Sequence, residues 1–262
     1  MAAIRRCFFL PFHGETGEDR WSWARDQGGQ ACYVLCDGAS ESYDGAAWAA
    51  TLAQVLAKGL LQRKLQRPLQ RKLPGGAAIQ NTPPIDRQYF INLVKRAQKQ
   101  YAQHSVLVVP GEFEWLNRQA LARGSWSTVL ALRFSRQGSF ADLWSVGDTM
   151  LFLRDGQRYM GCFPPKTAQA VLEHPPLVPS RGPVPSALYH TRIDLHGLKR
   201  PRLIMVSDAL GYYLLSREEA ERIELWDFFC RAPQASCISW LMNEQRCGAL
   251  AADDYTLLEL VP

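Results

Sequence analysis

Tyr33-Val34-Leu35-Cys36-Asp37-Gly38 is an uninterrupted apolar run that ends on a carboxylate and a glycine. Two other stretches have the same form, Leu143-Trp144-Ser145-Val146-Gly147-Asp148 and Leu203-Ile204-Met205-Val206-Ser207-Asp208, and a fourth acidic station, Asp253-Asp254, lies near the end of the sequence. A short continuous apolar run reads as a buried strand, and a strand that ends in a carboxylate directs that charge at one edge of its sheet. Several such ends gathered at one edge repel one another unless protons or cations lie between them. The donors are all oxygen, so the expected cations are hard ones, Mg²⁺ or Mn²⁺, rather than zinc. The expectation is a metal-assisted hydrolase acting on a phosphate.

The chain is 262 residues long with 47% apolar residues, enough to bury a substantial core in one domain. No stretch of about 18 apolar residues is present, and Ile4–Pro11 is too short an apolar run for a secretory leader, so the expected location is the cytoplasm and no membrane partner is expected. Seven scattered cysteines with no Cys-x-x-Cys pair fit a reduced compartment, and Cys32 and Cys36 read as strand packing. The five histidines, His13, His104, His174, His190 and His196, lack metal-ligand spacing. The net charge of +5 is modest but uneven: Gln62–Lys72 carries basic residues and no acid, with a Leu-Gln-Arg step at 61, 65 and 69. That segment is either a contact for an acidic partner or the solvated tail of a helix. The tryptophans do not interleave with it, so nucleic acid is not expected as a partner.

Helical spacing is expected in two places: Ala46–Leu56, packed by Trp48, Leu52, Val55 and Leu56, and Arg87–His104, packed by Tyr89, Phe90, Leu93, Val94, Ala97 and Tyr101. The two helices are expected to pair. Between Trp126 and Arg158 the pattern turns to strands, Ser127–Phe134, Phe140–Val146 and Met150–Leu153, with turns at Gln137-Gly138 and Asp155-Gly156, which predicts an antiparallel meander. A strand at 202–207, helices near 217–230 and 233–246, and a final strand at Thr256–Leu260 complete the pattern. Residues 62–86 read as a basic, Pro/Gly-containing loop insertion and 163–187 as a proline-rich flap within one domain spanning 1–262. The fold class is α+β.

These stations, taken in order, resemble the metal-dependent serine/threonine protein phosphatases of type 2C, in their bacterial branch. The resemblance runs from Glu18 to Leu260 and rests on Glu18-Asp19-Arg20, Asp37-Gly38, Ser127-Thr128 leading into a strand, Gly147-Asp148, Ser207-Asp208 and Asp253-Asp254-Tyr255-Thr256. It implies an antiparallel β-sandwich flanked by helices, four layers in the order α-β-β-α. It also implies hydrolysis of phosphoserine or phosphothreonine by a metal-activated water with two Mg²⁺ or Mn²⁺ ions, at one end of the sandwich beside the flap. On this likeness Asp37 bridges the ions together with the Gly38 carbonyl, Asp208 and Asp253 hold either side, and Glu18 and Asp19 act through metal-bound water. Asp148 and Asp208 match a third, weaker metal position. The implied partners are a phosphorylated protein and a cognate serine/threonine kinase.

The sequence departs from the pattern in places. The position of a phosphate-gripping Arg is Gly14, which leaves Arg20 or His13 as substrate contacts; Ala209 replaces a Gly, Tyr212 replaces an acid, and Asp254 replaces an Asn. Asp37, Asp148 and Asp208 could also be plain turn or cap residues. The alternative classes are a non-catalytic relative that binds a phosphoprotein, and a phosphatase of small esters.

Overall fold

The computed structural model describes residues 2–11, 17–40, 42–62, 87–104, 119, 122–166 and 175–262. His13, the basic segment from Arg63 onward and residues 167–174 of the expected flap lie outside them.

Buried runs of four to six residues form the centre of two sheets. In the first, β1 (Ala3–Leu10), β12 (Tyr255–Val261), β11 (Pro201–Val206), β7 (Met150–Asp155) and β8 (Arg158–Phe163) lie side by side in that order. In the second the order is β10 (Tyr189–Asp194), β6 (Phe140–Val146), β5 (Val129–Phe134), β3 (Ala31–Cys36) and β2 (Arg20–Arg25). Every pairing is antiparallel. A two-stranded ribbon, β4 (Trp126–Ser127) with β9 (Val178–Pro179), is added where the flap was expected.

Alternation assigns each strand face to a layer. Tyr33, Leu35, Leu130, Leu132, Leu143, Leu151, Leu203, Met205 and Leu258 fill the space between the sheets. Cys32, Val34, Ala131 and Trp144 face outward against helices α1 (Gly45–Gln62) and α2 (Arg87–His104). On the opposite side Phe8, Phe152, Ile204 and Leu257 pack under α3 (Asp208–Leu215), α4 (Glu219–Arg231) and α5 (Gln234–Arg246). The result is the expected α+β sandwich, helices outside two face-to-face sheets. Asp44 caps α1 by accepting the Ala47 N–H at 3.1 Å. Trp48 anchors α1 to β9 through its indole N–H, which donates to the Val178 carbonyl at 2.9 Å.

The meander expected between Trp126 and Arg158 is not formed. β5 pairs with β6 and β7 with β8, but β6 and β7 belong to different sheets. The three-residue connection Gly147-Asp148-Thr149 crosses the sandwich instead of closing a hairpin. Gly147 makes the crossing with a φ of +104°, where a β-carbon would also lie 2.8 Å from the Thr128 side chain.

Candidate active site

Strand register carries the acidic stations to one end of the sandwich. In the second sheet Arg20 pairs with Cys36 and Val129 with Val146. Asp19, Asp37 and the Asp148 turn therefore share one edge. In the first sheet Val206 lies between Met150 and Leu257, and Leu10 pairs with Tyr255, so Asp208 and Asp253-Asp254 leave the matching edge. The Gly147–Thr149 crossing joins the two edges.

The backbone around Asp37 is fixed by hydroxyls. Its carbonyl accepts the Thr128 N–H and the Ser127 hydroxyl, both at 2.8 Å, and its own N–H donates to Thr128 Oγ1 at 3.1 Å. Gly38 forms an isolated bridge with Ser127. A β-carbon at Gly38 would lie 2.8 Å from the Gly45 backbone and 3.1 Å from the Glu18 carbonyl, so only glycine lets these three segments meet.

Asp19 is the most constrained acid. It is 3% exposed, and neither of its carboxylate oxygens has a hydrogen-bond partner. Burial is the main cause that pushes it up to about 8; the nearby Thr256 hydroxyl opposes it, and the charges of Asp254, Asp208 and Asp253 add smaller upward effects. Asp37 is held well above the usual carboxylate range by burial and then by Asp19, Asp208, Asp253 and Asp148. Asp208 rises to about 6 through burial and the Asp148 charge, and Asp253 to about 6 through burial and the Asp208 charge. Burial also raises Asp148 and Glu18, opposed at Asp148 by Lys166 and at Glu18 first by the Ser40 hydroxyl. Each of these groups thus feels the charge of at least one other across the sheet ends. Among the described residues no three His, Cys, Asp or Glu side chains are drawn together into a finished ligand cage.

The donor set fits a hard cation. It consists of carboxylate oxygens, buried at Asp19 and Asp148 and half-buried at Asp37, Asp208 and Asp253, carries two orphaned oxygens on Asp19, and is loaded with repulsion that a cation would relieve. Cys36, next to Asp37, offers no alternative nucleophile, because burial drives its thiol far up and away from the reactive thiolate.

Two residues have roles that the sequence did not reveal. Asp254 is a clamp: its Oδ2 accepts the backbone N–H of Glu18 and, at 3.2 Å, that of Asp19. Its carbonyl accepts the Ser207 hydroxyl at 3.2 Å, which ties the segment before β12 to the end of β11. Its charge also contributes to the rise of Glu18, Asp19 and Asp253. Lys166, the second, donates to the Gly147 carbonyl at 3.4 Å, and its charge opposes the rise of Asp148 and Asp208. Ala209 fits in place of a glycine because no residue other than glycine has a positive φ among the described residues.

Arg20 lies on the wall of an open cleft of about 470 Å³, with Glu18, Tyr43, Asp44 and Ala47. Its guanidinium donates to the Gly17 carbonyl and, at 2.7 Å, to the Asp19 carbonyl, so it buttresses the backbone that carries the two acids. His190 packs against Trp144, with ring centroids 5.2 Å apart, and belongs to the helix-facing side of the second sheet.

No family model matches the sequence, and no curated protein matches it either. Solved structures do match in fold. A bacterial serine phosphatase superposes with a TM-score of 0.60 over 99% of this chain and 96% of its own, at 14% identity. The serine/threonine phosphatase Stp1 from Staphylococcus aureus gives 0.57 over 99% and 93%, also at 14% identity. RsbX, solved in complex with magnesium, gives 0.50 over 100% and 99% at 11% identity.

Proposed function

We propose that this chain, which has the fold of the bacterial serine/threonine phosphatases, is a divalent-metal-dependent phosphoprotein phosphatase that hydrolyses phosphoserine and phosphothreonine. The observation that carries the reading is Asp19, a buried carboxylate with two unpartnered oxygens among five other acids raised by burial and neighbouring charge. Such an arrangement is costly to keep unless a cation completes it. Magnesium is present in one structure of this fold, that of RsbX.

Asp37, Asp208 and Asp253 would hold Mg²⁺ or Mn²⁺ with the Gly38 carbonyl, while Glu18 and Asp19 would complete the outer ring. Bound divalent ions supply a water of lowered pKa and stabilise charge on phosphoryl oxygens. The chain's own residues do the rest. Ser127 and Thr128 fix the Asp37 backbone, and Asp254 fixes Glu18 and Asp19. The Arg20 cleft would receive the phosphorylated side chain and its flanking peptide. The substrate is then a phosphorylated protein, and the chain would oppose a serine/threonine kinase.

The test is hydrolysis of a phosphothreonine peptide and of p-nitrophenyl phosphate, with and without Mn²⁺, by the wild type and Asp208→Ala. Metal-dependent turnover that disappears in the variant is expected. A folded wild type that binds no divalent ion and turns over neither substrate would reduce the chain to a non-catalytic binding module. Turnover of the small ester without the peptide would reassign the substrate class.

A further inference from the structure

Lys166 has no part in the motif spacing or in the roles proposed above, yet its placement is specific. Phe163 pairs with Leu151, so the chain leaving β8 through Pro164 and Pro165 returns over the β6–β7 crossing. There the ammonium donates to the Gly147 carbonyl at 3.4 Å and lies 5.6 Å from the centre of the Tyr212 ring. Tyr212 follows Asp208 by four residues on α3, so the two share a helix face. Lys166 provides the largest charge effect on Asp148 and offsets part of the repulsion that Asp148 exerts on Asp208.

A carbonyl oxygen, an aromatic face and two carboxylates all attract positive charge, and together they form a cation corner. Its occupant is a residue of the chain itself. Burial works against the charge on Lys166, and the Asp148 and Asp208 carboxylates work to keep it. An ammonium is a compact point charge on a flexible stem, suited to such a corner. Tyr212 stands where the type 2C likeness has an acid; an aromatic face suits a lysine already in place, where a carboxylate would suit an incoming divalent ion.

We infer that Lys166 is the resident counter-cation of the Asp148–Asp208 corner, its ammonium standing where a further divalent ion would otherwise bind. The chain therefore takes divalent ions at the Asp37 centre and none at this corner, in contrast to the third, weaker position implied by the family likeness. The inference rests on the metal-dependent reading of the acidic site.

Equilibrium dialysis against Mn²⁺ with metal analysis tests it on wild type, Lys166→Met, Lys166→Arg and the double variant Lys166→Met/Asp148→Asn. The expected result is one more bound ion in Lys166→Met than in wild type, with the wild-type count kept by Lys166→Arg and restored in the double variant. If Lys166→Met fails to fold, Lys166→Gln removes the same charge while keeping a donor for Gly147. Wild type that binds Mn²⁺ with an unchanged count and affinity in the charge-removed variant overturns the Lys166 assignment alone. Wild type that binds none while the variant binds one supports the corner and overturns the phosphatase reading. No binding in any form overturns both.

Discussion

Gly17 lies flush against Asp254: a β-carbon at Gly17 would lie 2.4 Å from Asp254 Oδ2, the oxygen that accepts the Glu18 and Asp19 amides. Gly17→Ala must turn that carboxylate aside and release both amides. Supporting residues of this kind are worth about 10–100-fold in metal affinity. Titration calorimetry with Mn²⁺ should show a loss in that range for Gly17→Ala, and wild-type affinity would rule out the clamp.

Asp37→Asn should be more damaging than any supporting change, because the charges of four other acids converge on Asp37. A loss of turnover beyond the ~100-fold expected of a supporting residue is anticipated, with the far-ultraviolet circular dichroism unchanged. Turnover within tenfold of wild type would remove Asp37 from the centre.

The raised carboxylates give the metal-free protein an unusual pH profile. Asp208 and Asp253 bind protons more tightly folded, at about 6, than at the ordinary 3.8, and Asp19 does so at about 8. The folded state thus carries the extra protons, so this part of the stability is fully present below 3.8 and is lost as the pH rises through 6 and then 8. The melting temperature of metal-free protein should fall across that interval, by about 2–4 °C for each kcal/mol lost. Mn²⁺ should restore it most at the alkaline end. A metal-free melting temperature that climbs between pH 5 and 8 would contradict the assigned shifts.

Away from the site, Asp142 is fully buried between Arg133 at 3.0 Å and Arg192 at 2.7 Å. Asp142→Ala would leave two arginines, one of them nearly inaccessible, without their shared carboxylate. The expected cost is about 3–5 kcal/mol in chemical denaturation, and a change under 1 kcal/mol would show that the arginines find other acceptors.

Trp48→Phe keeps an aromatic ring against Tyr101, whose centroid lies 5.4 Å away, but removes the donor to the Val178 carbonyl. A loss of about 1–3 kcal/mol is expected for the carbonyl left buried. If urea midpoints coincide, water has replaced the indole.

Three of the four acidic stations, Asp37, Asp148 and Asp208, were legible in the sequence because each follows a buried strand, and a run such as Tyr33–Cys36 needs no long-range information to be recognised. Helices α1 and α2 were legible from Trp48 and Phe90 spacing, and α1 extends beyond the expected Leu56 to Gln62. What was lost lies at the edges. β8 and β10 border their sheets, and their half-exposed residues blur the alternation that marks a strand. β1 carries a register shift between Ile4 and Arg6 that breaks its period. The eight-residue α3 hides behind β11, with Gly211 and two tyrosines giving it weak intrinsic preference. The Gly147–Thr149 connection has the length of a hairpin turn, and only the pairing of β7 with β11 reveals that it changes sheets. Lys166 reaches the Gly147 carbonyl by the same long-range register, which no local spacing encodes.

The two sheets meet between their faces through apolar side chains, which resist separation but not sliding. The acids at their shared end come from both: Asp19 and Asp37 from one, Asp208 and Asp253 from the other. An ion held by that set would act as a rivet through two plates, converting a slip plane into a fixed hinge line. Cation supply would then govern the stiffness of the molecule as well as its chemistry.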